Sequence, residues 1–271
     1  MLNKKIFVVT GVSSGIGAET ARLLRSQGAR VLGVDMREPA SDVDDFHRID
    51  LSDRASLDRL VAALPHAIDG LANIAGLPPT HAAAQVLRVN LLAPRYLTLA
   101  LVPKLSDGAS IVNLASAAGA GWPHAVADIR DSAALEFEDA EAFCVGHRIE
   151  GSRSYFFSKE ALIAWTIQNR WTWRSRGIRM NAVSPGPVDT PILGDFIRTL
   201  GPQAAERTRD LERHGTPADI APVVAFLLSP ASVWMRGANL AVDGGLSAHM
   251  LDEVHGLSAG ASQSQPLQGT W

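Results

Sequence analysis

Residues 6–17 read Ile6-Phe7-Val8-Val9-Thr10-Gly11-Val12-Ser13-Ser14-Gly15-Ile16-Gly17: an apolar, β-branched run, then three glycines, then a helical pattern. A continuous apolar run without alternation suits a strand buried on both faces, as in a parallel sheet. Glycine at 11, 15 and 17 lets the backbone approach a pyrophosphate and lets helix and strand pack closely. The helix that starts there offers unpaired N–H groups and the positive end of its dipole, which attract phosphate. Standing alone, the motif also reads as a tight strand-to-helix turn with no ligand. Asp35 closes the next run, Arg30–Asp35, about 20 residues further on, where a carboxylate accepts the hydroxyls of an adenosine ribose. The same carboxylate repels a 2′-phosphate, and Ser13 and Ser14 place no cation in the glycine loop. The expected cofactor is therefore NAD. Arg37 dissents: it could reach a phosphate, or simply be a solvated loop charge.

Outward from this stretch, short apolar runs alternate with longer helical patterns, the mark of βαβ units around a parallel sheet. Strands are expected at Ile6–Thr10, Arg30–Asp35, Phe46–Asp50, Gly70–Asn73, Ser110–Leu114, Ile178–Val183 and Asn239–Val242. Helices are expected at Gly15–Gln27, Arg54–Leu64, Ala82–Lys104, Arg153–Arg176 and Pro217–Leu228. The expected fold is α/β, a single doubly wound Rossmann-type domain over residues 1–255 with about seven parallel strands and helices on both faces. Residues 256–271, small and polar, read as a flexible tail.

The 271 residues hold 25 Lys+Arg against 28 Asp+Glu, a net charge of −3. That balance excludes a bulk electrostatic affinity for nucleic acid or anionic membrane. The single cysteine, Cys144, excludes an internal disulfide framework and a Cys-rich zinc site. No apolar run approaches the roughly 18 residues of a membrane span. The four-residue apolar start is far below the about 7–15 of a secretory leader. A soluble, cytoplasmic protein is expected.

Tyr155-Phe156-Phe157-Ser158-Lys159 puts a phenol and an ammonium four residues apart, on one face of a helix. Such a pair is commonly a surface contact, but a nearby cation also favours phenolate and lowers a tyrosine pKa.

The spacing Gly11-x-x-x-Gly15-x-Gly17, together with the Tyr155/Lys159 pair, resembles the short-chain dehydrogenases/reductases. Asp50-Leu51 is similar to that family's adenine contact, and Asn73-Ile74-Ala75-Gly76 to its turn after the fourth strand. Pro185-Gly186-Pro187-Val188-Asp189-Thr190 resembles the loop that holds the nicotinamide amide, and Val242-Asp243-Gly244-Gly245 the C-terminal strand end. The match runs in order from about residue 4 to 250. The resemblance implies that Tyr155 exchanges the substrate's hydroxyl proton and that Lys159 also holds the nicotinamide ribose. It implies that Ser116 hydrogen-bonds the reacting oxygen, and that Asn90 holds a water linking Lys159 to solvent. Asn90 also reads as an ordinary hydrogen bond within a helix. Hydride passes directly between substrate and nicotinamide, so no metal is expected.

The 39 positions from Ser116 to Tyr155 exceed the family's usual gap. The excess, about 128–150, carries seven acids and two bases, a local charge of −5. The enlarged gap resembles the branch of 3α-hydroxysteroid dehydrogenase/carbonyl reductases. Lys4–Asp35, Asp69–Gly76, Gly121–Pro123 and Pro185–Leu193 look like those of bacterial coniferyl alcohol dehydrogenases. The resemblance implies an aromatic or cyclic alcohol. Trp122, Phe156, Pro187, Ile192, Leu193, Phe196, Ile197 and Leu200 are expected around the nicotinamide, an apolar lining for an uncharged alcohol or ketone. Within the insertion, Ser132–Val145 reads as a short helix whose Leu135, Phe137 and Phe143 either cover the substrate pocket or alter a subunit contact. A solvated acidic helix with no role is the plainer reading. A homo-oligomer, dimer or tetramer, is expected. The alternatives left open are a dinucleotide-sensing regulator without chemistry and an NADP-dependent carbonyl reductase.

Overall fold

In the computed structural model, which describes residues 2–39, 43–199 and 211–258, seven parallel strands form one sheet in the order β3-β2-β1-β4-β5-β6-β7. They are β1 Ile6–Thr10, β2 Arg30–Asp35, β3 Asp45–Arg48, β4 Ile68–Asn73, β5 Leu105–Leu114, β6 Arg179–Pro185 and β7 Asn239–Val242. The order reverses between β1 and β4, paired directly through Phe7–Gly70, Val8–Leu71 and Val9–Ala72. A crevice opens beyond the carboxyl ends of strands at such a reversal, and that is where α/β sheets bind ligands.

Four expected strands are misplaced at their ends. Residues 49 and 50 fall outside β3, β4 begins two residues early, at Ile68, β6 runs on through Pro185, and β5 begins five residues early, at Leu105. The polar stretch Ser106-Asp107-Gly108 disguises that start; the sheet accommodates it with a register shift between Ile68 and Gly70.

The helices cover both faces: α1 Gly15–Ser26, α2 Arg54–Ala63, α3 Ala83–Leu87, α4 Ala93–Leu101, α5 Val126–Asp131, α6 Ala140–Gly146, α7 Ser152–Gln168, α8 over residues 193–199, α9 Pro217–Leu228 and α10 Leu246–His255. The helix expected at Ala82–Lys104 is interrupted by a π-helical turn at Arg88–Leu92. Pro94 has no N–H to give the carbonyl of Asn90, so the ladder widens there. The helix expected to reach Arg176 ends at Gln168, and α10 extends the chain beyond the last strand. Two apolar clusters sandwich the sheet. One joins Leu32, Leu71 and Ile111 to α2–α4 and α7; the other joins Phe7, Val9 and Val112 to α1 and α9. Arg179, 4% exposed, donates to the carbonyl of Ser229 at the end of α9, a group a buried helix end leaves orphaned, and to that of Gly108 in β5.

The acidic insertion is neither one helix nor a lid. It breaks into α5, a 3₁₀ turn at Ser132–Ala134 and α6. Phe137 is buried in the core cluster shared with α4, and its ring meets Tyr96 edge-on. Arg88 donates to Glu141 (2.6 Å) and to the Phe137 carbonyl (2.9 Å), and Arg95 to the carbonyls of Ser132 and Ala133. Arg54 lies 3.6 Å from Glu136. The insertion thus meets Arg54 of α2, Arg88 of the π-helical turn and Arg95 of α4, and none of its residues lines the pocket.

No helix among the described residues is long and apolar enough to cross a membrane.

Candidate active site

The glycine turn fits a dinucleotide. Gly11 has φ +83°, and a Cβ there would stand 3.0 Å from the backbone of Ala75; one on Gly17 would stand 2.1 Å from the Gly11 carbonyl. Only glycine permits that approach of β1, α1 and the turn after β4. Ser14 is the N-cap of α1 but its hydroxyl does not cap it, which leaves the first-turn amides to a ligand. At the tip of β2, Asp35 accepts from the amides of Ser13 (3.0 Å) and Arg37 (3.1 Å), while Arg37 Nη2 donates to Ser13 Oγ (3.3 Å). Asp50 accepts from both the amide and the hydroxyl of Ser52, and the Leu51 side chain is in the core.

Thr10 holds the neighbouring turn, accepting from the amides of Ile74 and Ala75. Asn73 is a correction to the expected cofactor contacts. Its amide donates to Asn113 Oδ1 (2.9 Å) and Thr98 Oγ1 (3.2 Å), so the side chain ties β4 to β5 and α4 inside the core.

A cavity of about 490 Å³ continues from this cleft. Ser116, Tyr155 and Lys159 all line it, as do Ile16, Gly76, Pro185, Gly186, Pro187, Val188 and Thr190. β5 delivers Ser116, which accepts from the Ala118 amide (3.1 Å) and starts a 3₁₀ segment, Ala117–His124. That segment lies so close on α7 that a Cβ on Gly119 would sit 2.9 Å from the Lys159 carbonyl. α7 carries Tyr155 and Lys159 on one face. Lys159 Nζ donates to the Leu114 carbonyl (2.7 Å) and lies 5.5 Å from the centre of the Tyr155 ring. Asn90, in the π-helical turn, accepts from the Leu77 amide (2.7 Å) and donates to the Leu77 carbonyl and to Ser158 Oγ. Asn90 Oδ1 and Lys159 Nζ both border Gly76, 3.4 and 3.7 Å from where its Cβ would be.

Burial dominates the electrostatics. Desolvation pushes Lys159 down to about 7 and Tyr155 up to about 12, with the Ser116 hydroxyl pulling Tyr155 the other way. The expected lowering of Tyr155 by its lysine is therefore outweighed in the protein alone: desolvation of the phenol itself sets the direction.

The far wall is apolar. Phe156, Ile192, Leu193 and Phe196 line it as expected, with the Phe196 ring tilted 4.6 Å from that of Tyr155. Trp122 does not; it packs between Ala115, Ile163 and the larger core cluster, because the 3₁₀ segment turns it inward. Ile197 is exposed and outside the lining, and Leu200 lies outside the described residues. Sequence reasoning missed Leu246 and Met250 of α10, and the carboxylate of Glu160. The loop carrying α8 is pinned at its neck. Val188 and Gly215 bridge, the Gly215 amide donates to the Pro187 carbonyl (2.9 Å) and the Asp189 amide to the Gly215 carbonyl (2.8 Å).

The model of the family described as short chain dehydrogenase matches residues 5–127. A coniferyl-alcohol dehydrogenase from Pseudomonas sp. is 43% identical over 254 residues, covering 92% of this chain and 98% of that protein. The chain belongs to the short-chain dehydrogenase/reductase family. A second family model, described as enoyl-(acyl carrier protein) reductase, matches residues 142–247, so most of the acidic insertion falls between the two. The 3-alpha-hydroxysteroid dehydrogenase/carbonyl reductase of Comamonas testosteroni is 33% identical, covering 90% of this chain and 97% of its own. Among solved structures, the 3-alpha-hydroxysteroid dehydrogenase from Pseudomonas sp. complexed with NADH superposes with a TM-score of 0.77 at 29% identity, covering 91% and 98%. The expected fold and family hold, and the protein is a dinucleotide-binding oxidoreductase of the short-chain type.

Proposed function

We propose that this short-chain oxidoreductase is an NAD-dependent dehydrogenase of a hydrophobic alcohol, aromatic, terpenoid or steroid-like, with Tyr155 as its acid/base. The observation that carries the reading is the convergence of Ser116, Tyr155 and Lys159 on one cavity continuous with the glycine turn. When bound, the nicotinamide supplies the acceptor or donor of hydride. Ser116 holds the reacting oxygen by a hydrogen bond, and Tyr155 takes its proton in oxidation and returns it in reduction. Lys159, anchored on Leu114, binds the ribose, and Asn90 keeps the turn at Leu77 in register beside it. Phe156, Ile192, Leu193 and Phe196 exclude water and accept an apolar body. The names of the two relatives, one an aromatic alcohol and one a steroid, support a hydrophobic substrate.

Asp35 supports NAD, since it would repel a 2′-phosphate at the ribose position. The contact of Arg37 with Ser13 favours a second reading, an NADP-dependent carbonyl reductase, in which that guanidinium turns to the phosphate. A homo-oligomer belongs to the same proposal, supported by the exposed pair Val233 and Trp234. The test is a panel of benzylic, cinnamylic, terpenoid and steroid alcohols with each dinucleotide, followed by absorbance of the reduced cofactor. Turnover confined to NADP, or to polar alcohols, would overturn the reading.

A further inference from the structure

Glu160 is an acid in an otherwise apolar wall. It follows Lys159 on α7, is 5% exposed and lines the cavity beside Phe156 and Gly121. A Cβ on Gly121 would stand 3.0 Å from its Oε1, so a glycine at 121 is what leaves room for the carboxylate there. Arg153 Nη1 lies 2.7 Å from Oε2 in an ion pair, yet that oxygen receives no well-directed hydrogen bond. Among the described residues no donor is hydrogen-bonded to either oxygen. A buried carboxylate takes several hydrogen bonds when it can, and one left short of donors is costly. Arg153 balances the charge at Oε2, which is sealed from the cavity, and leaves Oε1, beside Gly121 of the lining, as the acceptor open to a ligand.

Resting on the dehydrogenase reading above, we propose that Glu160 accepts a hydrogen bond from a second, neutral hydroxyl on the substrate, phenolic or alcoholic, at the end remote from the carbinol. Glu160 stands five residues beyond Tyr155, about 7.5 Å along the helix axis, which one ring and a short linker span. An ammonium is disfavoured because it would sit beside the Arg153 guanidinium. A substrate without the hydroxyl would bury Glu160 against apolar surface and leave it still unfilled. Sites built to bond a substrate hydroxyl reject the analogue that lacks it more strongly than apolar pockets reject a missing methylene.

The experiment compares matched pairs: benzyl with 4-hydroxybenzyl alcohol, cinnamyl with 4-hydroxycinnamyl alcohol, and cyclohexanol with 1,4-cyclohexanediol. The wild type should favour the hydroxylated member by about 10- to 100-fold in kcat/KM, mostly through KM, as for a hydrogen bond to a charged group. In Glu160→Met the ratio should fall to about 1 while NADH affinity stays put. A second arm does not depend on turnover: calorimetry of wild type and variant, each loaded with NADH, with benzamide and 4-hydroxybenzamide, whose carbonyl accepts no hydride. There the wild type alone should prefer the hydroxylated ligand. A ratio near 1 in both arms of the wild type, or a preference that survives in Glu160→Met, would overturn the assignment with the dehydrogenase reading intact. Tighter use of 4-(aminomethyl)benzyl alcohol than of 4-hydroxybenzyl alcohol would overturn its neutral-donor part. No turnover of any alcohol, beside a binding preference abolished in Glu160→Met, would overturn the dehydrogenase reading and spare Glu160.

Discussion

Replacing Lys159 by methionine should abolish turnover and at the same time stabilise the cofactor-free protein at neutral pH. Lys159 is 3% exposed and burial lowers its pKa from 10.5 to about 7. The unfolded chain therefore binds more protons than the folded one between pH 7 and 10.5, so stability falls as pH drops through that window. Integrated down to pH 7, the depressed lysine costs about 4 kcal/mol relative to alkaline solution. Methionine keeps most of the buried stem and removes the titration, but it orphans the Leu114 carbonyl, now bonded to Nζ at 2.7 Å, at a cost of about 1–3 kcal/mol. The net gain is about 1–3 kcal/mol, or roughly 2–10 °C in Tm for a chain of this size. Differential scanning fluorimetry of both proteins without cofactor, from pH 7 to 10, reads the effect. The variant should melt higher at pH 7, and its advantage should shrink and then reverse as pH approaches 10.5. A Tm no higher than wild type at pH 7, or a difference that does not vary with pH, would refute the burial argument. Saturating NADH should narrow or invert the difference, because the wild type alone gains the ribose contacts.

Tyr155→Phe should lower kcat by at least about 10²–10⁴ while NADH binding, read by fluorescence titration, changes little; retained turnover would mean another group moves the proton. Asp35→Ala should narrow the NAD preference mainly through KM, and equal efficiencies with NAD and NADP in the wild type would transfer the ribose end to Arg37. Phe137→Ala should cost about 3–5 kcal/mol in denaturant unfolding, as for a core phenylalanine. Substrate KM should stay at its wild-type value, because the insertion packs on α4; a raised KM with unchanged stability would put it back over the pocket.

Much of the fold is legible because its signals are local. The apolar run Ile6–Thr10, the glycines at 11, 15 and 17 and the acid at 35 each state a backbone requirement within a few residues. The same holds for Tyr155 and Lys159, which share a face by spacing alone. What escapes is set by tertiary contact. Nothing in the pattern around Asn73 tells a cleft residue from one turned inward to Asn113. Trp122 looks like pocket lining until the 3₁₀ segment rotates it into the core. Nothing local marks Arg54, Arg88 and Arg95 as the residues that receive the acidic insertion across a wide sequence separation. Glu160 is not singled out; its signal is the four-residue step from Phe156, already assigned to the pocket. Tyr155 shows the electrostatic form of the same limit. Its lysine neighbour is visible in sequence, and the depth of burial that raises the phenol's pKa regardless is not.

On the proposed substrate reading, the pinned neck at Val188 and Gly215 makes the stretch with Ile192, Leu193 and Phe196 a cassette. The bonds of Pro187, Val188 and Asp189 with Gly215 fix both ends of that stretch to the framework, so an exchange between those ends need not move Gly186 or Thr216. Lengthening such a closed excursion is thermodynamically mild, about 0.6 kcal/mol for each doubling. Descendants of this gene could thus acquire new alcohols by rewriting one segment, while the strands that hold the dinucleotide inherit no change at all. Glu160 and Met250 stand outside the cassette, on α7 and α10, so a transplanted loop would still meet a carboxylate and a thioether chosen for a different guest.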